Sequence, residues 1–394
     1  MSQASLAPQS TAPAKQVPIL DLQEVRVSFH TYAGEVKALN GINLKLFKGE
    51  AIGLVGESGC GKSVTAATVV GLLPENAIVK SGHIIFEGED LLSKSKKEVR
   101  ELRSTKIAMV FQDPMTFLNP VLTIGEQLRE VFSINKKRLA EAALDYDIKL
   151  LRRSAAESKD PAVRGGIDAE VARLEAQRPN PPNPRRRHKR QVLDALAVDA
   201  LEKMRIPDAA RILREFPHEL SGGMRQRVMI AMAIARDPDL LIADEITTAL
   251  DVTIQAQILE LLKILRKEFN STIMLITHDL GVVADLCDRV AVMYAGDVVE
   301  VSDARSLYAK PLHPYTQGLL KAVPRLAADA VKLEPIPGSV PDLIYPPTGC
   351  RYHPRCPYAW DLCKEKKPEL SEVEKGHSTA CYLYTEGGKR PTHT

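Results

Sequence analysis

The sequence predicts an α/β protein built around a parallel sheet that carries a phosphate-binding loop, and three stretches predict it. "GESGCGKS", Gly56 to Ser63, stands between the apolar run "AIGLV" and the helix-like "SVTAATVVGLL". Strand, glycine-rich turn and helix in that order are what phosphate binding needs. "LLIADE", Leu240 to Glu245, and "TIMLITHD", Thr272 to Asp279, are short apolar runs that end in polar residues. Unbroken apolar character over so short a length suits central parallel strands covered on both faces.

Composition sets wide bounds. With 394 residues, 44% hydrophobic and 26% charged, the chain is an ordinary globular one with room for a sizeable core. A net charge of +3 asks for neither nucleic acid nor lipid. Residues 1–18 are rich in Ser, Ala, Pro and Gln, lack the apolar centre of a secretory signal, and are expected to form a disordered tail. No run of 18 or more apolar residues occurs, so the chain is not expected to cross a bilayer by itself. A cytoplasmic home is expected, where disulfides are disfavoured.

Taken in order, Ile19 to Phe29 alternates apolar and polar residues like a half-buried strand, and Gly41 to Gly56 holds two more short strands around a Lys-Gly turn. In the loop that follows, Gly56, Glu57, Ser58, Gly59, Cys60 and Gly61 are expected to turn backbone N–H groups toward bound phosphates, helped by the positive end of the next helix. Lys62 is expected to reach the β- and γ-phosphates and Ser63 to hold Mg²⁺. Asp244 is expected to hold the same Mg²⁺ and Glu245 to polarise the attacking water. Alone, an apolar strand ending in Asp-Glu is common at a solvated edge, and a histidine at a strand end is ordinarily a solvated or capping residue. The phosphate loop gives Asp244, Glu245 and His278 their weight.

"LSGGMRQR", Leu220 to Arg227, makes the reading specific. Together with the phosphate loop, "VFQDP" at Val110 to Pro114, "LLIADE", "TTALD" at Thr247 to Asp251 and "THDLG" at Thr277 to Gly281, it resembles the nucleotide-binding subunit of ATP-binding-cassette (ABC) transporters. The resemblance implies a RecA-like parallel sheet with an antiparallel β subdomain, a helical subdomain and a small cysteine-rich C-terminal extension. Its boundaries fall at 19–310 for the nucleotide-binding domain, 111–220 for the helical subdomain and 311–394 for the extension. It also implies that Ser221, Gly222 and Gly223 face the γ-phosphate held by a partner subunit and that Asp251 lies at the dimer seam. Gln112 would join the Mg²⁺ and water site to the permease, and His278 would contact the γ-phosphate. For adenine stacking the candidate is Tyr32, with Phe29 as the fallback.

"GEVKALNGINLKL", "FQDPMTFLNP", "FPHELSGGMRQRVMIAMAIA", "MYAGDVVE" and "HPYTQGLLKAVP" are similar to the oligopeptide and dipeptide importer branch. That branch implies an ATPase subunit peripheral to the cytoplasmic face of the cell membrane. It would pair with a second, different ATPase subunit beneath two permeases, be served by an extracytoplasmic solute-binding protein, and bind no nucleic acid. The rival is a soluble ABC ATPase of translation or DNA repair with an iron–sulfur or zinc module. Such relatives usually carry two cassettes or long coiled coils, whereas one phosphate loop and no sustained heptad pattern occur here.

Two departures from the family stand out. Ile246 follows Glu245 where relatives commonly have proline, which restores an N–H and is expected to loosen the loop leading to Asp251. The spacing from Gln112 to Ser221 is much longer than in relatives, the excess falling in a basic insert at about 135–190. From Ile134 to Arg190 there are 15 Lys and Arg against 8 Asp and Glu. Solvated elaboration, contact with lipid or permease, and nucleic-acid contact all fit a basic insert, though no stacking aromatics are interleaved with the charges.

Four of the six cysteines, Cys350, Cys356, Cys363 and Cys381, lie in the last 45 residues. Four thiolates suit zinc or an iron–sulfur cluster. The tail resembles that of peptide-importer ATPases carrying a [4Fe–4S] cluster, with zinc as the alternative and uncoordinated thiols as the third reading. His353 and His377 are possible substitute ligands that are not expected to serve. Because "PIPGSVPDLIYPPTGC" is proline-rich and shows little apolar periodicity, this tail is expected to need a metal staple to fold.

Overall fold

The computed structural model describes residues 17–111, 117–184, 186–246, 251–269, 271–322 and 335–385. In chain order the strands are β1 (Pro18–Thr31), β2 (Gly34–Phe47), β3 (Ala51–Val55), β4 (Ala77–Phe86), β5 (Glu89–Asp90), β6 (Ile107–Val110), β7 (Leu240–Asp244), β8 (Thr272–Ile276), β9 (Arg289–Tyr294), β10 (Asp297–Asp303), β11 (Ser371–Glu374) and β12 (His377–Thr379). They make an antiparallel four-stranded sheet in the order β2-β1-β4-β5 and an eight-stranded sheet in the order β11-β12-β10-β9-β3-β8-β7-β6. Within the larger sheet the run from β9 to β6 is parallel, and β10, β12 and β11 extend it antiparallel.

The apolar runs of β3, β7 and β8 follow from what lies on either side. Ile52, Leu54, Ile242, Met274 and Ile276 point into a core shared with the small sheet. Their neighbours Ala51, Val55, Ala243, Ile273 and Leu275 point into a second core shared with the helices. Successive residues of a strand face opposite ways, so a strand between two dry layers must be apolar at every position. The hairpin of β1 and β2 alternates only in part: Ile42, Leu44 and Leu46 of β2 are buried with exposed residues between them, whereas Ile19 to Leu22 of β1, read as alternating, are buried in a row.

Between β6 and β7 the chain is helical, with helices Ile124–Ile134, Lys136–Glu157, Pro161–Glu175, Arg186–Lys203 and Gly222–Ile234. Helix Lys136–Glu157 divides along its length. Leu139 and Ala143 pack into the main core with Val192, Ala197 and Leu201, whereas Leu144 and Ile148 pair with Val171 of the next helix in a separate small cluster. The stretch 135–190 is thus rooted in the core and only its far end stands away. Several of its basic residues are paired internally, Arg152 with Glu175 at 2.7 Å and Arg178 with Asp145 at 2.9 Å.

The C-terminal tail is joined to the cassette: β12 adds to the main sheet, pairing Glu300 with Thr379 and Val301 with Ser378. Tyr352, buried in the main core, packs on Tyr294 and Tyr315 at ring distances of 5.0 and 5.4 Å. Cys350, Cys356, Ile336, Val340 and Leu343 lie against the same core. The apolar partners that the tail lacks in its own sequence are supplied by the cassette.

Candidate functional site

The phosphate loop runs from the end of β3 to the helix Lys62–Val69. Its glycines are demanded by geometry. Gly56 has φ 151°, and a Cβ there would sit 2.2 Å from the Met293 carbonyl oxygen. Gly61, at φ 105°, caps the helix and lies against Leu39 and Ala38 of β2. The Lys62 side chain is buried, and its ammonium donates to the carbonyls of Gly56 at 2.8 Å and Glu57 at 3.1 Å. Its charge is thus held over the concave side of the loop. Cys60 is buried beneath it, and burial pushes its thiol upward. Ser58 and Gly59 are exposed at the lip.

Parallel strands bring two distant segments to this loop, the ends of β7 and β8. The Ser63 hydroxyl donates to Asp244 at 3.1 Å. Burial raises the Asp244 carboxyl above its ordinary range, opposed by the Ser63 hydrogen bond and the Lys62 charge. Glu245 follows with φ 48°, a left-handed conformation that costs a non-glycine residue about 1–2 kcal/mol. Its N–H donates to the Ile276 carbonyl at 2.9 Å, and its carboxylate lies 3.6 Å from His278 Nδ1. His278 is positioned by its flanks, since the Thr277 N–H donates to Leu54 and Asp279 caps the helix Leu280–Leu286. Gln255 reaches the same Asp279 at 3.0 Å. Ile246, where relatives commonly have proline, is 2% exposed in the main core, and the loop from there to Asp251 that was expected to be looser lies outside the described residues.

A second group lies on the helical segment. Ser221 caps the helix Gly222–Ile234, its hydroxyl accepting from the Met224 N–H at 3.3 Å. Gly222 has nothing within 4 Å of where a Cβ would stand, so the helix start is open. A Cβ on Gly223 would meet Ile254 at 2.8 Å. Ile254 belongs to the helix Val252–Phe269, and its N–H donates to the Asp251 carboxylate at 2.9 Å. Tyr32 is fully exposed at the tip of the β1–β2 hairpin, whereas Phe29 packs on the core between the sheets. Gln112 and residues 247–250 lie outside the described residues.

Cys350, Cys356, Cys363 and Cys381 line one small cavity of about 20 Å³ with Tyr352, Trp360 and other residues. Burial pushes the thiols of Cys350 and Cys381 up to about 12 and that of Cys356 to about 11. Among the described residues no group of three or more His, Cys, Asp or Glu side chains is arranged to hold a metal ion. The sequence reading therefore brought the four thiols to one place but finds no support for its iron–sulfur or zinc centre. His377 is occupied elsewhere, 2.7 Å from the buried Glu300, and His353 Nδ1 meets the Cys350 carbonyl.

The sequence reading missed Arg355, Tyr315, Asp279 and Gln255. Asp279 alone carried a local signal, as an Asp placed before a Leu-Gly helix start.

Residues 39–248 match the family model described as ABC transporter, more than half of the chain. The chain belongs to the ABC transporter family. Residues 299–363 match a second model, described as oligopeptide/dipeptide transporter, C-terminal region. The dipeptide transport ATP-binding protein DppD of Bacillus subtilis is 43% identical over 366 residues, covering 93% of this chain and 94% of its own. The oligopeptide transport ATP-binding protein OppD of Salmonella typhimurium is 42% identical over 386 residues, covering 98% and 99%. Among solved structures, the dimeric bacterial ABC transporter cassette MJ0796 superposes with a TM-score of 0.54 at 23% identity, over 73% of this chain and 99% of that one, which shows the fold. This ABC protein is an ATPase subunit of the oligopeptide/dipeptide importer branch, and the reading as a translation or repair ATPase is not favoured. Among its described residues no helix is long and apolar enough to cross a membrane.

Proposed function

We propose that this ATPase energises import of peptide-class solutes from the cytoplasmic face of the membrane. It would work opposite a second ATPase subunit, beneath two permeases served by an extracytoplasmic binding protein. The observation that carries the chemistry is the meeting of Lys62, Ser63, Asp244, Glu245 and His278, drawn from three sequence segments, around one glycine loop. Backbone N–H groups from Gly59 to Ser63 and the Lys62 ammonium hold the phosphates of ATP. The Ser63 hydroxyl and Asp244 carboxylate suit Mg²⁺, which takes oxygen ligands and, when bound, neutralises phosphate charge. Gln112 is assigned to the same site. Glu245 accepts a proton from the attacking water as its oxygen bonds to the γ-phosphorus and the bond to ADP breaks, and His278 orients that water. Tyr32 stacks on the adenine.

Ser221 and Gly222 open toward solvent at a helix start, with Gly223 buried behind them, and the three serve the γ-phosphate bound by the partner subunit, with Asp251 at the seam. ATP thereby joins two cassettes, and hydrolysis releases them. Replacing Glu245 by Gln should leave ATP binding intact and lower the hydrolysis rate about a hundredfold or more. Turnover at the wild-type rate in that variant would remove Glu245 from its role.

The donor chemistry of the tail suits a soft metal, since four thiols line one cavity. We assign Cys350, Cys356, Cys363 and Cys381 to a [4Fe–4S] cluster, zinc being the alternative. Protein purified without oxygen should be brown and contain about four irons per chain. One zinc and no colour would exchange the metal while keeping its ligands.

A further inference from the structure

Glu57, the second residue of the phosphate loop, is held at each of its polar groups. Its carbonyl accepts from the Lys62 ammonium at 3.1 Å, and its N–H donates to the Tyr315 hydroxyl at 2.8 Å. Its carboxylate accepts both terminal nitrogens of Arg355, at 2.8 and 3.2 Å. Arg355 comes 298 residues later in the chain, next to Cys356, and is 9% exposed. The rest of its guanidinium is also engaged: Nε donates to the Pro337 carbonyl at 2.9 Å, Nη2 to Ile336 at 3.3 Å and Nη1 to the Tyr294 hydroxyl at 3.4 Å.

One planar fork therefore ties the phosphate loop to the end of β9 and to the proline-rich segment that precedes the cysteines. A lysine, with a single point of charge, cannot make this set of bonds. The turn that carries Arg355 is itself closed by the cysteine backbones, the His353 N–H donating to Cys350 at 3.0 Å and the Cys356 N–H to His353 at 3.3 Å.

We propose that Arg355 is a positioning residue for ATP: through Glu57 it fixes the phosphate loop, so that the fold of the cysteine-bearing tail sets the geometry of the nucleotide site. The reason lies in the loop. Gly56, Gly59 and Gly61 all have positive φ and give the loop little rigidity of its own. Lys62 must leave the carbonyls of Gly56 and Glu57 to reach a phosphate, and an anchored Glu57 keeps the loop in place while that ammonium swings. The tail is thereby linked to nucleotide binding without touching the nucleotide.

The inference rests on the nucleotide reading of the loop, which Lys62→Ala tests separately: ATP binding that survives in that variant would overturn the reading itself. With the full-length chain, Kd for a fluorescent ATP analogue and the KM and kcat for ATP are measured in Glu57→Gln, Arg355→Lys and the double variant, each checked for a wild-type-like Tm. Each single change should raise Kd and KM about tenfold, as expected for losing one charge-assisted pair, with kcat nearly unchanged. The double variant should be no worse than either single one, because both remove the same link. Cys356→Ser should raise KM as well and add nothing in the Glu57→Gln background. An unchanged KM in either folded single variant, a loss in kcat alone, or additive effects in the double variant would overturn the proposal. An absent or additive Cys356→Ser effect would overturn the tail's part in it.

Discussion

The nucleotide loop and the C-terminal tail touch each other, yet they are built in opposite ways. The loop is a local object: Gly56 to Ser63 turn on their own dihedrals, and Lys62 bonds carbonyls five and six residues before it. The tail is held from afar. Arg351 donates to the carbonyls of Lys37 and Ala295, the Lys37 N–H donates to Leu343 at 2.9 Å, and β12 lies on β10. A short segment can carry a chemical motif in its own residues, but a proline-rich one without periodicity folds only where another surface completes it. The loop's chemistry is therefore written in one place and its rigidity in another.

The largest effect expected is on the loop side. Gly56→Ala would place a methyl group 2.2 Å from the Met293 carbonyl oxygen and should abolish ATP binding or folding. Gly59→Ala, with open space around it and φ 77°, should cost only about 1–2 kcal/mol in chemical denaturation. Equal costs at the two positions would mean that the loop is not locked against β9.

On the tail side, Tyr352→Ala removes a buried ring from between Tyr294, Tyr315 and His313 and should cost about 3–5 kcal/mol. If the tail is completed by the cassette, the loss should appear as one cooperative transition at lower denaturant. A first transition confined to the tail, with the cassette unmoved, would break the comparison.

The smallest effect is a pH dependence in the same cluster. His313 is fully buried, its Nδ1 accepts the Tyr315 N–H at 3.1 Å, and burial pulls its value down to about 3 from 6.5. Between those values the unfolded chain takes up a proton that the folded chain refuses, so stability is full above pH 6.5 and falls as pH falls. The loss should be about 1.4 kcal/mol between pH 7.5 and 5.5. His313→Asn keeps an acceptor for Tyr315 and should show a shallower slope in urea titrations at the two pH values. An unchanged slope would assign the dependence to other groups.

Most of the candidate site was legible as a meeting of loop and strand ends because its signals are short. Gly56 to Ser63, Asp244 with Glu245, and His278 each sit where a strand ends, and the apolar runs before them mark central strands. The register that sets Ser63 beside Asp244 was not legible, since it depends on β7 lying one strand away from β3 across β8. Strand β4 also went unread: of its ten residues only Ile84 and Phe86 are buried, too few for a pattern to show. The insert was legible as helices, but not its root in the core, because Leu139 and Ala143 look no different in sequence from Leu144 and Ile148.

The sequence by itself determined the strand–glycine loop–helix arrangement of the candidate site, the family and the gathering of thiols near one end, since each is carried by residue types at close spacing whose dihedral and charge preferences act locally. Only the tertiary structure decided that the tail is part of the cassette and that Arg355 closes on Glu57. A guanidinium and a carboxylate 298 residues apart leave no periodic or spacing signal. Their meeting follows from the packing of β9, the Tyr294–Tyr315–Tyr352 cluster and the main sheet, and from the cost of leaving an arginine buried without partners for its N–H groups.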